Sequence, residues 1–327
     1  MTGADPILSV KNLSIRFRTG DGMVYAVNDV SFDMHAGQRL AIVGESGSGK
    51  SQIALSILGL LARNAEVEGA ALWKGRDLLA MPAAEINKIR AREIAMIFQD
   101  PMSALNPYMT IERQLSEVVE LHEGMSRSQG RARALEVMDA VKIPDARARL
   151  RAYPHEFSGG MRQRIVIAMA LMCRPALILA DEPTTALDVT VQAQIMELLA
   201  EVQQAMGTAI VLITHDLGVV AGFCEDTLVL YGGRVMETAP TRALFRAPGH
   251  PYTRGLLRAV PNINDPSATL AAIPGSPPNQ THPPRACPFA PRCEDAVTAC
   301  FETLPMLEPH AGTASRRACL RPVEALT

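Results

Sequence analysis

Gln38-Arg39-Leu40-Ala41-Ile42-Val43-Gly44-Glu45-Ser46-Gly47-Ser48-Gly49-Lys50-Ser51 decides the fold. Its first part, through Val43, is an apolar run with strand character. Its remainder fits G-x-x-x-x-G-K-[ST], and Ile53-Ala54-Leu55-Ser56-Ile57-Leu58-Gly59-Leu60-Leu61 behind it reads as a helix packed into a core. Strand, glycine-rich turn, helix is the context in which this motif cradles phosphate. Glycines let backbone N–H groups approach phosphate oxygens, and the helix N-terminus adds its partial positive charge. In such a loop Lys50 bridges the β- and γ-phosphates of a nucleotide and Ser51 ligates Mg²⁺.

Further along, Leu177-Ile178-Leu179-Ala180-Asp181-Glu182-Pro183 is a second apolar strand. It delivers two carboxylates at its C-terminal end, where ligands sit in open α/β sheets. Asp181 is placed to hold the Mg²⁺ hydration shell, and Glu182 to polarise an attacking water as general base. An Asp-Glu pair at a strand end is common by chance, and this one gains weight from its neighbours. Before it comes Phe157-Ser158-Gly159-Gly160-Met161-Arg162-Gln163-Arg164, a Ser-Gly-Gly turn feeding a helix; after it comes Ala186-Leu187-Asp188, a turn whose Asp188 could face another subunit. A phosphate-binding turn on a separate lobe cannot reach phosphates held by its own chain's loop. It is useful when a second nucleotide domain presents it across an interface, so the sequence suggests an ATPase that works as a head-to-tail pair. Gln99, after the strand-like Ile94-Ala95-Met96-Ile97-Phe98, could touch Mg²⁺ or the water. His215, after Ile210-Val211-Leu212-Ile213-Thr214, could contact the γ-phosphate. Taken alone, each would be an ordinary turn residue; their order along the chain makes them candidates.

Composition bounds the rest. A chain of 327 residues, 48% hydrophobic and 20% charged, suits one large domain with an appendage. The net charge of −2 leaves no electrostatic footprint for nucleic acid, and the arginines from Arg127 to Arg151 are interleaved with Glu136, Asp139 and Asp145 as on solvated helix faces. No apolar run approaches the ~18 residues of a membrane span, and Met1–Pro6 lacks the features of a secretory signal. The expected place is the cytoplasm, with a membrane reached only through partners. Residues 7–32 alternate as antiparallel strands; 106–172 is a helical insertion with helices over 111–121, 131–141 and 160–172; 176–214 returns to strand, helix, strand; and 224–233 reads as two strands around a turn at Tyr231-Gly232-Gly233.

These motifs and their order resemble the nucleotide-binding subunits of ABC transporters over roughly residues 7–245. GESGSGKS is similar to Walker A, ILADEP to the end of Walker B, and FSGGMRQR to the family signature, with Phe157 and Met161 where Leu and Gln are commonest. Gln99, Asp188 and His215 match the Q-, D- and H-loops. The resemblance implies a P-loop ABC nucleotide-binding fold: a mostly parallel core sheet, an antiparallel β subdomain and a helical subdomain, within residues 1–247. It implies ATP and Mg²⁺ as cofactors. An aromatic, Phe17 or Tyr25, would stack on adenine. A soluble ABC ATPase of a nucleic-acid machine is the alternative; that class usually carries two nucleotide domains, a coiled-coil insertion or basic arms, none of which is seen.

Beyond Phe245 prolines crowd the chain, among them Pro248, Pro261, Pro266, Pro277, Pro278 and Pro288. Such a segment forms neither long helices nor central strands. His250-Pro251-Tyr252-Thr253-Arg254-Gly255-Leu256-Leu257 starts a helix, and Gly275-Ser276-Pro277-Pro278 follows. This 248–327 block resembles the C-terminal extension of oligopeptide, dipeptide and nickel permease ATPases. It implies ATP-driven import of a peptide or related solute at the cytoplasmic face of the inner membrane. The implied partners are a second, different ATPase subunit, two multi-span permease subunits and an extracytoplasmic solute-binding protein, with the solute itself undetermined.

Four of the six cysteines, Cys287, Cys293, Cys300 and Cys319, lie in that extension with spacing C-x5-C-x6-C-x18-C. Disulfides are not expected in a cytoplasmic chain. The four thiols could hold a [4Fe–4S] cluster or Zn²⁺, or stand unliganded; the gaps fit zinc knuckles poorly. Cys173 and Cys224 read as buried core thiols.

Overall fold

The computed structural model describes residues 5–185, 187–260, 272–310 and 313–322; Ala186, Pro261 and Pro266 of the stretches above lie outside them. The chain divides into two compact units. One gathers Met1–Met34, Arg39–Ala80 and Ile213–Thr327, and the other His35–Gln38 and Met81–Leu212.

The first unit holds two groups of strands. Leu8–Thr19 and Gly22–Met34 form an antiparallel hairpin, joined on the other edge of Leu8–Thr19 by Ala65–Trp73 and then by the short Arg76–Asp77. Leu8, Leu13, Ile15, Met34 and Trp73 are fully buried beneath it, as the alternation of the sequence requires. The second group runs Glu308–Pro309, Arg316–Arg317, Arg234–Pro240, Asp226–Tyr231, Arg39–Val43. Only its last pair is parallel, with Leu40 opposite Asp226 and Val43 opposite Val229. Gly232 and Gly233 turn the hairpin between the two central strands at φ 55° and 77°, which the twist of a two-residue turn demands. The Pro-rich extension contributes two-residue strands at the edge, as its prolines require. It also supplies the helix Pro251–Arg258, capped by the His250 ring, which accepts the Tyr252 N–H at 3.0 Å.

The second unit carries parallel strands Ile94–Ile97 and Leu177–Asp181, in register Ile94 with Leu177 and Ile97 with Ala180. The strand Ala209–Thr214, whose first four residues belong here, follows Leu177–Asp181 on its other side. Leu177–Asp181 is buried along its whole length, the signature of a parallel strand covered on both faces. The helices are set by side-chain caps from residues next to their own first turns. Thr110 caps Ile111–Glu123, and Ser126 with Gln129 forms a capping box on Arg127–Ala140. Ser158 caps Gly159–Leu171 and Asp188 caps Val189–Met206. Gly124 and Gly207, both left-handed, stop two of them.

Candidate nucleotide site

In the first unit the buried strand Arg39–Val43 ends at Gly44, and the loop delivers the chain into the helix Lys50–Ile57. Gly44, Gly47 and Gly49 all have positive φ. Gly49, at φ 100°, is the decisive one: a Cβ there would lie 2.3 Å from the Ala26 carbonyl oxygen. Lys50 is 5% exposed and its Nζ donates to the Gly44 and Glu45 carbonyls at 2.8 and 2.9 Å, arching over the loop. Ser48 Oγ is buried with no hydrogen-bond partner, while the Ser48 carbonyl accepts from Gly233 N–H at 3.1 Å. A buried hydroxyl without a partner inside a loop built of left-handed glycines fits a phosphate group, since both supply donors to one small concavity. Ser46 and Gly47 are exposed, and Ser51 sits in the first turn of the helix. A cavity of about 320 Å³ opens along the loop, lined by Val24, Ser46, Gly47, Gly232, Pro278 and Gln280 among others.

The two aromatic candidates separate here. Phe17 pairs with Val24, which lines the loop cavity, and directly opposed residues share a face of an antiparallel pair. Tyr25 pairs with Arg16 and lines a separate cavity of about 180 Å³ with Glu66 and Pro283. His215, in the same unit, is exposed directly after the strand Ala209–Thr214.

In the second unit Asp181 closes its strand at 8% exposure, and Glu182 follows in a left-handed conformation at φ 46°. That conformation is uncommon outside glycine and holds the carboxylate at the strand end. Glu182 Oε2 accepts from Gln99 Nε2 at 3.0 Å and from Thr185 Oγ1 at 2.8 Å. Gln99, Asp181 and Glu182 are thus brought together at the ends of two paired parallel strands, and Thr185 joins them unforeseen. Ser158 and Gly159 are exposed. Gly160 is where the signature helix meets Val189–Met206: a Cβ would lie 2.7 Å from Val191 Cγ1. Phe157 is buried with the Arg149 guanidinium 5.8 Å from its ring centroid, which explains an aromatic at that position. Arg162 and Arg164 donate to backbone carbonyls of Pro154, His155, Val141 and Lys142, bracing the turn. Asp188 accepts the Val191 N–H at 2.9 Å, a local capping role that accompanies its exposure.

The extension reaches the phosphate loop, which the sequence did not announce. Arg292 forms a two-pronged ion pair with Glu45 at 2.7 and 3.1 Å, and Tyr252 Oη accepts the Glu45 N–H at 2.9 Å. Residues 247 and 207 positions apart carry no local pattern that would reveal such contacts.

Among the described residues no group of three or more His, Cys, Asp or Glu is arranged to hold a metal ion. The four cysteines are free thiols in one region, with Cys287 N–H donating to the Cys300 carbonyl at 3.1 Å. Burial pushes Cys287 up to about 11, helped by Cys300 and Cys319; burial likewise pushes Cys293 up to about 11, helped by Asp295, Cys287 and Cys319. Cys173 and Cys224 are buried as expected, and burial raises both thiols.

Comparison with known proteins bears on the whole chain. The model of the ABC transporter family matches residues 27–185, and that of the oligopeptide/dipeptide transporter C-terminal region matches residues 236–300. The chain is 57% identical over 296 residues to the oligopeptide transport ATP-binding protein OppD of Haemophilus influenzae, covering 90% of this chain and 92% of that one. It is 54% identical over 323 residues to OppD of Escherichia coli, covering 99% and 95%. It is 50% identical over 303 residues to the dipeptide transport ATP-binding protein DppD of Lactococcus lactis, covering 92% and 87%. Among solved structures, a dimeric post-hydrolysis ATP-binding cassette bound to ADP and Pi superposes with a TM-score of 0.64 at 31% identity, covering 72% of this chain and 99% of that chain. A cassette of the CbiONQ transporter from Clostridium perfringens gives 0.63 at 26%, covering 74% and 92%.

The fold is that of an ABC-type P-loop ATPase, an enzyme class that uses ATP and Mg²⁺. Within that class, the chain belongs to the family of oligopeptide/dipeptide ABC transporter ATP-binding subunits. Among the described residues no helix is long and apolar enough to cross a membrane.

Proposed function

We propose that this chain is the ATP-hydrolysing subunit that energises oligopeptide or dipeptide import, working at the cytoplasmic face of the inner membrane. It does so as one half of a head-to-tail pair with a second, different ATPase subunit. Two permease subunits and an extracytoplasmic solute-binding protein complete the machine. The observation that carries the reading is the exposed Ser158-Gly159 turn at the start of a capped helix, in a chain that also holds a complete set of Walker residues. The turn is presented outward and is available to a nucleotide held by a partner.

The roles of individual residues follow from their settings. Mg-ATP, when bound, supplies the γ-phosphoryl group and the charge that polarises it. The Gly44–Ser51 loop would hold the phosphates through its backbone N–H groups, with Lys50 as counter-charge. Ser51, Asp181 and Gln99 would hold the metal. Glu182, kept in place by Gln99 and Thr185, would take the proton of the attacking water. His215 would contact the γ-phosphate and Asp188 the partner subunit. The shared face of Phe17 and Val24 favours Phe17 over Tyr25 for stacking on adenine. The finer reading of the extension, residues 248–327 with an iron–sulfur cluster or zinc, rests on the nearness of its four thiols, which raise one another electrostatically.

The test is Ser158→Arg. The isolated variant should bind ATP like the unaltered chain, because the turn is not part of its own phosphate loop. The assembled transporter carrying it should lose ATP-driven peptide uptake into vesicles. Loss of ATP binding in the isolated chain would place the turn in the chain's own site and overturn the paired arrangement.

A further inference from the structure

We propose that the Cys-bearing C-terminal segment clasps the phosphate-binding loop and sets its affinity for nucleotide, with Arg292 as the positioning residue. The proposal rests on the ATPase reading above and adds residues to that same site.

The Arg292 side chain is 6% exposed. All five of its N–H donors have acceptors. Nε donates to the Pro274 carbonyl at 2.8 Å. One terminal nitrogen donates to Glu45 Oε2 at 2.7 Å and to Tyr231 Oη at 3.1 Å. The other donates to Glu45 Oε1 at 3.1 Å and to the Ile273 carbonyl at 3.1 Å. A guanidinium saturated in this way is a fixed fork, not a mobile surface charge. It ties the second residue of the phosphate loop to two turns of the extension at once.

Two further holds act on the same loop. Tyr252 Oη accepts the Glu45 backbone N–H at 2.9 Å, and Gln280 Nε2 donates to the Gly47 carbonyl at 3.2 Å. Behind them the Tyr231, Tyr252 and Phe289 rings pack with centroids 4.5 to 5.3 Å apart. Phe289 lies between Cys287 and Cys293, and Arg292 is the residue before Cys293. The turn that carries two of the four cysteines is therefore the turn that grips Glu45. A phosphate cradle works through the directions of its backbone N–H groups, so a loop freed from its supports loses aligned donors. Any event that loosens the Cys287–Cys293 turn then weakens nucleotide binding. By linkage, bound nucleotide must tighten that turn by the same factor. A clasp that only anchored the extension would show neither effect.

The experiment uses the purified full-length chain with Mg-ATP, measured by calorimetric titration. Arg292→Ala and Glu45→Ala should each weaken Mg-ATP binding about tenfold, within the usual span of coupling between sites. The double variant should be no weaker than either single one, because both remove one interaction. Arg292→Lys should fall between, since a point charge cannot form the two-pronged pair. In the unaltered chain Mg-ATP should slow amide hydrogen exchange over residues 287–293, and in Arg292→Ala it should not. Should Arg292→Ala unfold the extension, Glu45→Ala carries the test, because it leaves the three Arg292 bonds to Pro274, Tyr231 and Ile273 in place. Single variants that bind within twofold of the unaltered chain, or effects that add in the double variant, would overturn the clasp. An unaltered chain that binds Mg-ATP no better than Lys50→Ala would overturn the ATPase reading itself, and the clasp with it.

Discussion

Replacing Glu182 with Gln separates chemistry from structure in this site. The Glu182 carboxylate accepts two hydrogen bonds on one oxygen, from Gln99 at 3.0 Å and Thr185 at 2.8 Å. A glutamine retains one carbonyl oxygen of the same reach and can keep both bonds. The backbone φ of 46° strains either residue alike, so that cost cancels between the two proteins. What remains is the loss of charge assistance to two bonds, about 1 kcal/mol of stability. The lost chemistry is larger. General-base catalysis contributes about 10²- to 10⁴-fold, or roughly 2.7 to 5.4 kcal/mol in the barrier. The expected variant folds normally, binds ATP normally and releases phosphate at least ~10²-fold more slowly. The assay is phosphate release by the assembled transporter at saturating Mg-ATP, alongside nucleotide binding and thermal unfolding of the isolated chain. A closed, ATP-bound pair should accumulate. Turnover near the unaltered rate would remove Glu182 from the role of base, and slow turnover with lost ATP binding would mean that the carboxylate organises the site instead.

Three shorter predictions follow from other parts of the molecule. Gly49→Ala forces a Cβ to 2.3 Å from the Ala26 carbonyl at φ 100°, so the phosphate loop must shift; ATP affinity should drop about 5- to 150-fold for a strain of about 1–3 kcal/mol, and binding within twofold would contradict the geometry. His250 is buried and burial lowers it to about 3, so the unfolded chain binds the extra proton as pH falls below its ordinary value of 6.5. Stability present above pH 6.5 should therefore decline by up to roughly 1.4 kcal/mol per unit toward pH 3, partly offset near the acidic end by buried Glu237, whose carboxyl burial raises. Thermal melts at pH 7 and 5.5 should show a smaller difference in His250→Asn than in the unaltered chain, and equal differences would exclude the histidine as the source. For the extension, anaerobically purified protein holding a cluster should be brown with about four irons per chain, and changing any one of Cys287, Cys293, Cys300 or Cys319 to Ser should release most of the iron while ATP binding survives. Stoichiometric zinc in a colourless preparation would assign a zinc site, and four freely alkylated thiols with neither metal would dismiss the centre.

Much of this protein was legible without coordinates because its determinants are local. The phosphate loop announces itself through glycines that must adopt left-handed conformations, between a strand and a helix that periodicity identifies. Two helices of the 106–172 insertion begin within a residue of expectation because Thr110 and Ser158 supply cap acceptors next to their own first turns, whereas the one expected from 131 begins at Arg127, where Ser126 and Gln129 close a capping box. Asp181 and Glu182 could be placed at a strand end because a run of buried apolar residues stops there. Tertiary structure alone decided three other matters. Phe17 and Tyr25 are equivalent in sequence but lie on opposite faces of a hairpin, a distinction set by register. Thr185 joins Gln99 on Glu182 because one short turn bends back, and nothing in Thr185 itself marks it. Arg292 and Tyr252 grip Glu45 from positions more than two hundred residues away. Caps, turns and strand alternation are contests settled among near neighbours, so the sequence records them. A side chain that closes a contact between distant segments is chosen by the packing of everything between them, and only the folded chain holds that information.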